Sequence, residues 1–395
     1  MSQPLFDVTT DWVHIQYEET SAFTETYGFA GNQGAVHLEA ILMRPRGQAS
    51  STLVVFMHPS STLQLLPLPR SLAASGTHVL CAASRYAKND TALIMEKVAL
   101  DLGAAIRHAK EVLGYERIVL GGWSGGGSLA VFYQSQAETP TITHTPAGDP
   151  VDLPGARLIP ADALIFQAAH LSRAQLLLDC IDPSVQDELA PDDRIEEFDI
   201  YAAGSANQPP YSREFLARYR AAQLARIRRI TSRVKQTLAD LRVRKTGEME
   251  RGFVVHRTLA DPRFLDPSLD PNDRKPHWCY LGDPETVNTG PVGLARFSTL
   301  RSWLSQWSID DSQADGLRCA SSLRAPLLVI ENSADDAVPQ THTGRLFAAA
   351  ASPDKTLRVI HGATHYYAGQ PEHLAQANNL IRSWLADRRL LENEQ

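Results

Sequence analysis

The sequence lacks the features by which membrane, secreted and nucleic-acid-binding proteins are usually recognised. No apolar run approaches the roughly 20 residues needed to cross a bilayer. The formal net charge of −7 argues against nucleic acid or an anionic membrane as a partner. The first residues carry no basic segment followed by an apolar one, so a signal peptide is not expected and a cytoplasmic location is predicted.

Cysteines and recognisable cofactor motifs are also scarce. The four cysteines are far apart and form no C-x-x-C pair, which argues against a zinc site and a dense disulfide framework. They are Cys81, Cys180, Cys279 and Cys319. The Asp-Pro pairs between residues 261 and 284 lack the spacing of a calcium loop, and no Gly-rich phosphate loop occurs. Neither a metal nor a cofactor is therefore predicted.

Short apolar segments alternate with segments of helical period along most of the chain. Alternating or continuous apolar residues predict strands at Trp12–Tyr17, Ala35–Met43, Thr52–Met57, His78–Ala83, Ile118–Leu120, Ala163–Ala168, Pro326–Ile330 and Leu357–Ile360. The first two predict an antiparallel pair at a sheet edge. Helical periods at Asp90–Leu113 and Glu372–Leu385 favour helices between and after the strands. The pattern predicts an α/β fold with a mostly parallel, doubly wound sheet.

A long insertion separates the strands that begin at Ala163 and Pro326. Its roughly 150 residues are too many for a loop. We therefore predict an inserted cap over residues 171–321, between core segments at 1–170 and 322–395. The insertion falls at the end of the sheet where the loops gather, so a mostly helical lid is expected. A side domain, or the interface of a homodimer, is the alternative.

Two segments of the insertion have a clear helical period. Ser212–Lys245 predicts a long helix with Ser212 as its N-cap. Leu294–Trp307 predicts a second helix, rich in aromatic residues. The many arginines of the long helix are interpreted as a solvated face, with the binding of an acidic partner as the alternative.

The most informative stretch is Gly122-Trp123-Ser124-Gly125-Gly126, which has the pattern G-x-S-x-G. It lies between a predicted buried strand and a predicted helix. This is the context of a nucleophile elbow, in which a sharp turn exposes a serine hydroxyl. Glycines on both sides let the strand and the helix approach each other closely. The alternative is a glycine-rich turn with an incidental serine.

A serine hydroxyl needs a base, and the base needs an acid that orients it. The seventh predicted strand is followed by Glu331, Asp335 and Asp336, and the eighth by His361 and His365. The carboxyl ends of parallel strands gather at one edge of a sheet, so these side chains are expected near the elbow.

Taken together, these segments resemble the α/β-hydrolase superfamily. The resemblance covers roughly residues 35–170 and 322–390. It rests on the elbow, on a D-x-x-V-P segment from Asp335 and on an H-G-A-T-H segment from His361. The order Ser…Asp…His is also that of the superfamily. The resemblance implies the α/β-hydrolase fold.

The same resemblance implies roles for individual residues. Ser124 corresponds to the nucleophile, Asp335 to the acid and His365 to the base. Asp336 and Glu331 are alternative acids, and His361 is an alternative base.

An oxyanion hole needs two donors. The backbone N–H of Gly125, directly after the nucleophile, is the first. The second is expected in the loop after the third strand, but Pro59 has no N–H there. We therefore predict the backbone N–H of Ser60 or Ser61, with the hydroxyls of these residues and of Thr62 as further candidates.

The function predicted from the resemblance is hydrolysis of a small-molecule carboxylic ester, through an acyl-enzyme. Thioester, amide and C–C bond cleavage use the same residues. The substrate is expected to carry an apolar or aromatic group, in contact with His58, Trp123, Trp303 and Trp307.

Two other classes of function remain as alternatives. One is a non-hydrolytic enzyme of the same fold, such as a hydroxynitrile lyase or a cofactor-free haloperoxidase. The other is a hydrolase-like binding receptor. Haloalkane dehalogenases and epoxide hydrolases are excluded, because they carry aspartate where this chain has Ser124.

Overall fold

The computed structural model of the protein describes residues 5–19, 34–244, 247–338 and 340–391. Parts of some sequence predictions lie outside these ranges. They are the turn before Ala35, the end of the long helix at Lys245, Pro339 of the D-x-x-V-P segment and the outer ends of the two core segments.

The apolar segments form one large sheet and one small one. In chain order the strands are β1 (Val8–Glu18), β2 (Ala35–Pro45), β3 (Thr52–His58), β4 (Val79–Ala83), β5 (Arg117–Trp123), β6 (Ala163–Gln167), β7 (Gly252–Val254), β8 (Phe297–Thr299), β9 (Leu327–Asn332) and β10 (Lys355–Ile360). The large sheet has the order β1–β2–β4–β3–β5–β6–β9–β10. Strand β2 is antiparallel to β1 and β4, and the other pairings are parallel. The predicted doubly wound sheet and its antiparallel edge are confirmed.

Helices cover both faces of the large sheet. In chain order they are α1 (Pro67–Ala74), α2 (Met95–Glu111), α3 (Gly125–Glu138), α4 (Arg173–Cys180), α5 (Arg213–Arg244), α6 (Pro284–Thr289), α7 (Leu300–Ser302), α8 (Gly316–Ala320), α9 (Thr341–Ala349) and α10 (Pro371–Asp387). Helices α2, α3, α8 and α9 pack on one face, and α1 and α10 on the other. Among the described residues, no helix is both long and apolar enough to span a membrane.

Strand β3 shows why a central strand has a continuous apolar sequence. Leu53 and Val55 belong to the apolar core on one face, and Val54 and Phe56 to the core on the other. All four side chains are fully buried, because helices cover both faces of the sheet.

Helix α2 begins later than its periodicity indicated. The prediction started at Asp90, whereas the helix starts at Met95. The side chain of Asn89 accepts the backbone N–H of Thr91, which is the hydrogen bond of an Asx turn. This local bond ends the preceding loop in a turn and delays the helix.

The insertion between β6 and β9 contains the predicted long helix, α5. Its start is as expected, because the Ser212 hydroxyl accepts the backbone N–H of Phe215 at 3.1 Å. The prediction of a helix over Leu294–Trp307 is wrong for the first half of that range. Residues Phe297–Thr299 form β8, which pairs with β7, and the helix begins only after them. The pairing of β8 with β7 outweighs the helical spacing of apolar residues in this segment.

The arginines of α5 are not all solvated. Arg226 is 1% exposed, and its guanidinium donates to both carboxylate oxygens of Glu188, at 2.8 and 2.6 Å. It also donates to the backbone oxygen of Asp182 at 2.6 Å. Arg228, two residues further on, is 56% exposed and pairs with Asp310. The solvated-face interpretation is correct for Arg228 and wrong for Arg226.

Candidate active site

The G-x-S-x-G segment forms a tight turn between β5 and α3. Strand β5 ends at Trp123 and α3 begins at Gly125, so Ser124 alone makes the turn. Its φ of 53° and ψ of −127° lie in a region that residues other than glycine rarely adopt. A Cβ at Gly122 would lie 2.6 Å from the Cα of Gly127, which is why the strand and the helix need glycine where they meet. The predicted strand–turn–helix context is confirmed.

His365 and Asp335 form a buried pair beyond the ends of β10 and β9. Nδ1 of His365 lies 3.0 Å from each carboxylate oxygen of Asp335, and the two side chains are 1% and 3% exposed. The carboxylate also accepts the backbone N–H groups of Ala337 and Val338, at 2.9 and 2.8 Å. Because Nδ1 donates to the carboxylate, Nε2 of the neutral ring keeps its lone pair and can act as a base.

Ser124 and His365 line the same cavity. Among the described residues, the Ser124 hydroxyl has no hydrogen bond to the His365 ring. Such bonds are commonly long in ligand-free sites and shorten when the substrate is bound. The geometry therefore brings the predicted nucleophile, base and acid into one site.

Asp336, the neighbouring carboxyl, has a different position. It accepts the backbone N–H of His365 at 3.3 Å and the indole N–H of Trp278 at 3.2 Å. Burial, and then the charge of Asp335, raise the pKa of Asp336. Asp336 thus contacts the backbone of the histidine loop, whereas Asp335 contacts the imidazole.

The remaining alternatives lie away from the imidazole. Glu331 accepts hydrogen bonds from the side chains of Gln340 and Thr343. The side chain of His361 is 84% exposed, and its Nδ1 lies 3.9 Å from Asp273. Neither Glu331 nor His361 is among the residues that line the cavity.

Trp123, predicted to contact substrate, lies between the elbow and the histidine loop. Its ring centroid is 4.4 Å from that of His365 and 5.1 Å from that of Tyr366. The indole N–H donates to the backbone oxygen of His365 at 3.3 Å. Trp123 therefore both lines the cavity and supports the position of the imidazole.

Ser124 faces a cavity of about 330 Å³. Loops at the carboxyl ends of the strands form one side of it, and the insertion forms the other. The apolar part that the insertion contributes consists of Leu176, Cys180, Leu259, Tyr280, Val292 and Leu294. The insertion thus lines the same cavity as the elbow. Another cavity, of about 390 Å³, lies between β1 and α2, away from Ser124.

One wall of the cavity is charged. Arg173 forms a short ion pair with Asp90, and its guanidinium lies 4.4 Å from the centroid of the Trp307 ring. Lys88 and His170 also line the cavity. Burial lowers the pKa of His170 well below its ordinary value, so this ring is neutral. The cavity therefore combines an apolar roof with a polar wall.

Trp303 and Trp307 do not line this cavity. They are 0% and 1% exposed and belong to an apolar cluster inside the insertion. The indole N–H of Trp303 donates to the hydroxyl of Thr231 at 2.9 Å, and Trp307 packs behind Arg173. The prediction that these two residues contact substrate is wrong, because their aromatic stripe is buried in an apolar cluster of the insertion.

The loop after β3 differs from its prediction as well. The backbone N–H groups of Ser60 and Ser61 both donate to Nδ1 of His58, at 3.1 and 2.9 Å. They are therefore not available as oxyanion donors, which corrects the predicted role of these two amides. The side chains of Ser60 and Ser61 still line the cavity, as does His58.

Sequence reasoning missed most of the residues that line the cavity, among them His170, Arg173 and Tyr280. His170 follows the carboxyl end of β6, so the rule that sites gather there could have identified it. Arg173 and Tyr280 belong to the insertion, where no local pattern marks them. Within the described ranges, no group of three or more His, Cys, Asp or Glu residues is placed to hold a metal ion.

Neither a model of a known protein family nor a curated protein matches the sequence. Solved structures do resemble the fold. The α/β hydrolase GrgF from Penicillium sp. sh18 superposes with a TM-score of 0.50 at 10% identity, over 94% of this chain and 97% of that one. A DcsB complex with its substrate analogue gives 0.49 at 13% identity, over 96% and 99%. Brefeldin A esterase, a bacterial homologue of human hormone-sensitive lipase, gives 0.47 at 15% identity, over 98% and 79%.

The likeness to GrgF extends over nearly the whole of both chains, and the strand order is that of a mostly parallel sheet. The chain therefore has the α/β-hydrolase fold. Identities this low establish the fold alone, because one fold serves many reactions. The function has to be argued from the site itself.

Proposed function

We propose that the protein is a serine hydrolase that cleaves a carboxylic ester of a small molecule through an acyl-enzyme. One arrangement supports this proposal. Ser124 is presented on a strained turn, in the same cavity as His365, whose Nδ1 is held by the buried Asp335 carboxylate. A hydroxyl needs such a base before it can attack a carbonyl carbon at neutral pH.

The proposed reaction has two stages. Nε2 of His365 takes the proton of Ser124 while Oγ attacks the carbonyl carbon, and the carbonyl oxygen becomes an oxyanion beside the N–H of Gly125. His365 then gives the proton to the departing alcohol, and the acyl group stays on Ser124. A water molecule, deprotonated by the same nitrogen, attacks the acyl carbon; the bond to Oγ of Ser124 breaks, Oγ takes the proton back from His365, and the acid is released. Asp335 stays ionised and stabilises the imidazolium in both stages.

The cavity suggests the kind of ester. An apolar group of the substrate would pack against the roof formed by Leu176, Leu259 and Leu294. The polar part of the lining, with Arg173 and His170, suits a polar part of the same molecule. At about 330 Å³ the cavity is at the small end of the range for ligand pockets. We therefore propose that the substrate is a small ester with one apolar arm. A cytoplasmic location and a homodimer stay predictions from the sequence.

A panel of p-nitrophenyl esters with graded acyl chains tests the proposal. We expect turnover with a burst of p-nitrophenol, and a maximum at a short acyl length. Ser124→Ala should lower kcat by on the order of 10⁵ or more, because the members of a triad act as a unit. Ser128→Ala is the matched control. Ser128 lies one turn further along α3, and its hydroxyl donates to the backbone oxygen of Gly125.

Labelling with a fluorophosphonate identifies the nucleophile independently of the substrate. Peptide mass mapping should place the adduct on Ser124, in the wild type and in Ser128→Ala alike. An adduct on another serine, or full turnover by Ser124→Ala, would overturn the assignment. Elimination or halogenation without any hydrolysis would favour a non-hydrolytic enzyme of this fold instead.

A further inference from the structure

The loop after β3 is held in one conformation by several hydrogen bonds. Its amides at Ser60 and Ser61 converge on the His58 ring. Its carbonyls are also bonded, since Pro59 O accepts the Ser84 hydroxyl at 2.6 Å and Ser60 O accepts the backbone N–H of Lys88 at 2.6 Å. Pro59 has no N–H. The backbone from residue 59 to residue 61 therefore presents no free donor to the cavity.

These bonds determine which nitrogen of His58 carries the proton. Nδ1 accepts two N–H groups, so it has no proton of its own. Burial, and then the charge of Arg173, lower the pKa of His58 to about 3, so the ring is neutral at ordinary pH. In a neutral imidazole the one proton must then sit on Nε2. His58 thus presents an N–H where the loop backbone presents none.

The Nε2 atom of His58 lies beside the first oxyanion donor. A Cβ added at Gly125 would come 2.6 Å from this nitrogen, so the ring edge touches the residue that follows Ser124. His58 lines the cavity together with Ser124, and no described residue accepts a hydrogen bond from its Nε2. An N–H without a partner, next to Gly125, is suited to an oxygen that the substrate brings.

We propose that the Nε2–H of His58 is the second donor of the oxyanion hole and takes the place of the backbone N–H that Pro59 cannot supply. The inference rests on the proposed function, since only an acyl transfer creates the oxyanion. In this role His58 donates a hydrogen bond and transfers no proton. It cannot be a second base through Nδ1, because that lone pair is occupied by the Ser60 and Ser61 amides.

Two substitutions separate the two nitrogens of the ring. In His58→Asn, the amide oxygen reaches the position of Nδ1 and can still accept the loop amides, but nothing reaches the position of Nε2. In His58→Gln, the amide nitrogen reaches the position of Nε2 and restores a donor, while the acceptor for the loop is lost. His361→Asn makes the same chemical change at a side chain that is 84% exposed and serves as the control.

We expect His58→Asn to lower kcat/KM for the best ester by on the order of 10²-fold or more, which is the usual loss of one oxyanion donor. Its affinity for a trifluoromethyl ketone, which adds to Ser124 as a tetrahedral oxyanion, should fall in parallel, while the melting temperature stays close to wild type. His58→Gln should recover most of both losses. His361→Asn should match the wild type in all three measurements.

A larger loss in His58→Gln than in His58→Asn would overturn the inference. If Gln is the more damaging change, the ring serves only to hold the loop. If both variants keep full kcat/KM while Ser124→Ala is inactive, the inference fails and the serine-hydrolase proposal stands; activity in Ser124→Ala would remove that proposal itself. Nitrogen NMR of the wild type needs no variant. Protonation of His58 at Nε2, with a shift of that signal on adding the ketone, supports the donor role, and protonation at Nδ1 contradicts it.

Discussion

The sheet and the insertion between β6 and β9, predicted to be a cap, are packed in different ways. Helices α2 and α3 pack on the sheet mainly through apolar side chains, which form one continuous core, although Asp101 of α2 also forms a buried ion pair with Arg85 at 2.9 Å. The cap has three small apolar clusters, joined by buried ion pairs. Arg257 pairs with Asp182 at 2.6 Å, and Arg263 pairs with Asp179 at 2.9 Å and with Asp261.

This difference separates the two tasks of the molecule. The sheet holds Ser124, Asp335 and His365 at the ends of rigid strands, where small displacements would disturb the proposed chemistry. The insertion lines the other side of the cavity, and its conformation depends on paired charges whose loss leaves the partner unsatisfied. Substitutions in the two regions should therefore differ in what they damage.

The largest effect is expected at the sheet. Asp335→Asn should lower kcat by on the order of 10³ to 10⁴, because an amide no longer holds the imidazole in the tautomer that leaves Nε2 free. Asp336→Asn should cost less than about tenfold, since an amide oxygen can still accept the backbone N–H of His365. Steady-state kinetics with thermal unfolding as a folding control checks both. If Asp335→Asn has a mild effect on kcat and Asp336→Asn a severe one, the triad acid is Asp336 and not Asp335.

A cap substitution should act on stability first. Arg226→Ala should lower the free energy of unfolding by about 3–5 kcal/mol, because it leaves Glu188, only 10% exposed, without its partner. Arg228→Ala removes the exposed pair with Asp310 from the same helix and should change the free energy by less than about 1 kcal/mol. Urea denaturation measures the two. If both substitutions lower the free energy of unfolding by the same amount, burial does not determine what an ion pair contributes to stability here.

The contact between the two regions should respond to pH. Glu96 of α2 accepts hydrogen bonds from Ser305 at 2.7 Å and from Gln313 at 3.1 Å, both in the insertion. Burial raises the pKa of Glu96 from its ordinary 4.5 to about 7. The folded chain therefore favours the protonated carboxyl, and this contribution to stability is present below pH 4.5 and is lost as the pH rises through 7.

We expect the free energy of unfolding to fall by up to about 3 kcal/mol between pH 4.5 and pH 8, since a tenfold change in an equilibrium constant is about 1.4 kcal/mol. Glu96→Gln should remove this part of the pH dependence. Glu111→Gln alters a carboxylate on the same helix whose side chain is 60% exposed, and should leave the dependence unchanged. A steep loss that persists in Glu96→Gln would place the titrating group elsewhere.

The sheet could be predicted from the sequence because burial on it follows a simple period. Continuous apolar runs such as that of β3 are characteristic of a strand covered on both faces. The cap could not be predicted as well. A buried arginine such as Arg226 has the same sequence pattern as the exposed Arg228, and only tertiary contacts distinguish them. The aromatic stripe of Trp303 and Trp307 likewise did not reveal whether it faced a cavity or a core.

Within the site, the elbow, the aspartate segment and the histidine segment could be placed from the sequence, because each follows a predicted strand. The choice of Asp335 over Asp336 came from the resemblance and not from a position after a strand, because adjacent residues in a loop point in directions set by the local dihedral angles. The predicted role of the Ser60 and Ser61 amides was wrong for a similar reason. Which way an amide points, and which tautomer a histidine adopts, depend on bonds that sequence order does not show.

The backbone of Ser124 has a consequence for how this chain can change over generations. A φ of 53° with a ψ of −127° costs a residue with a side chain on the order of 1–3 kcal/mol, and glycine adopts it freely. Variation screened only for heat resistance would therefore drift towards glycine at position 124, whereas a requirement for turnover would bring serine back. The identity of this one residue thus reports which of the two demands has governed the lineage.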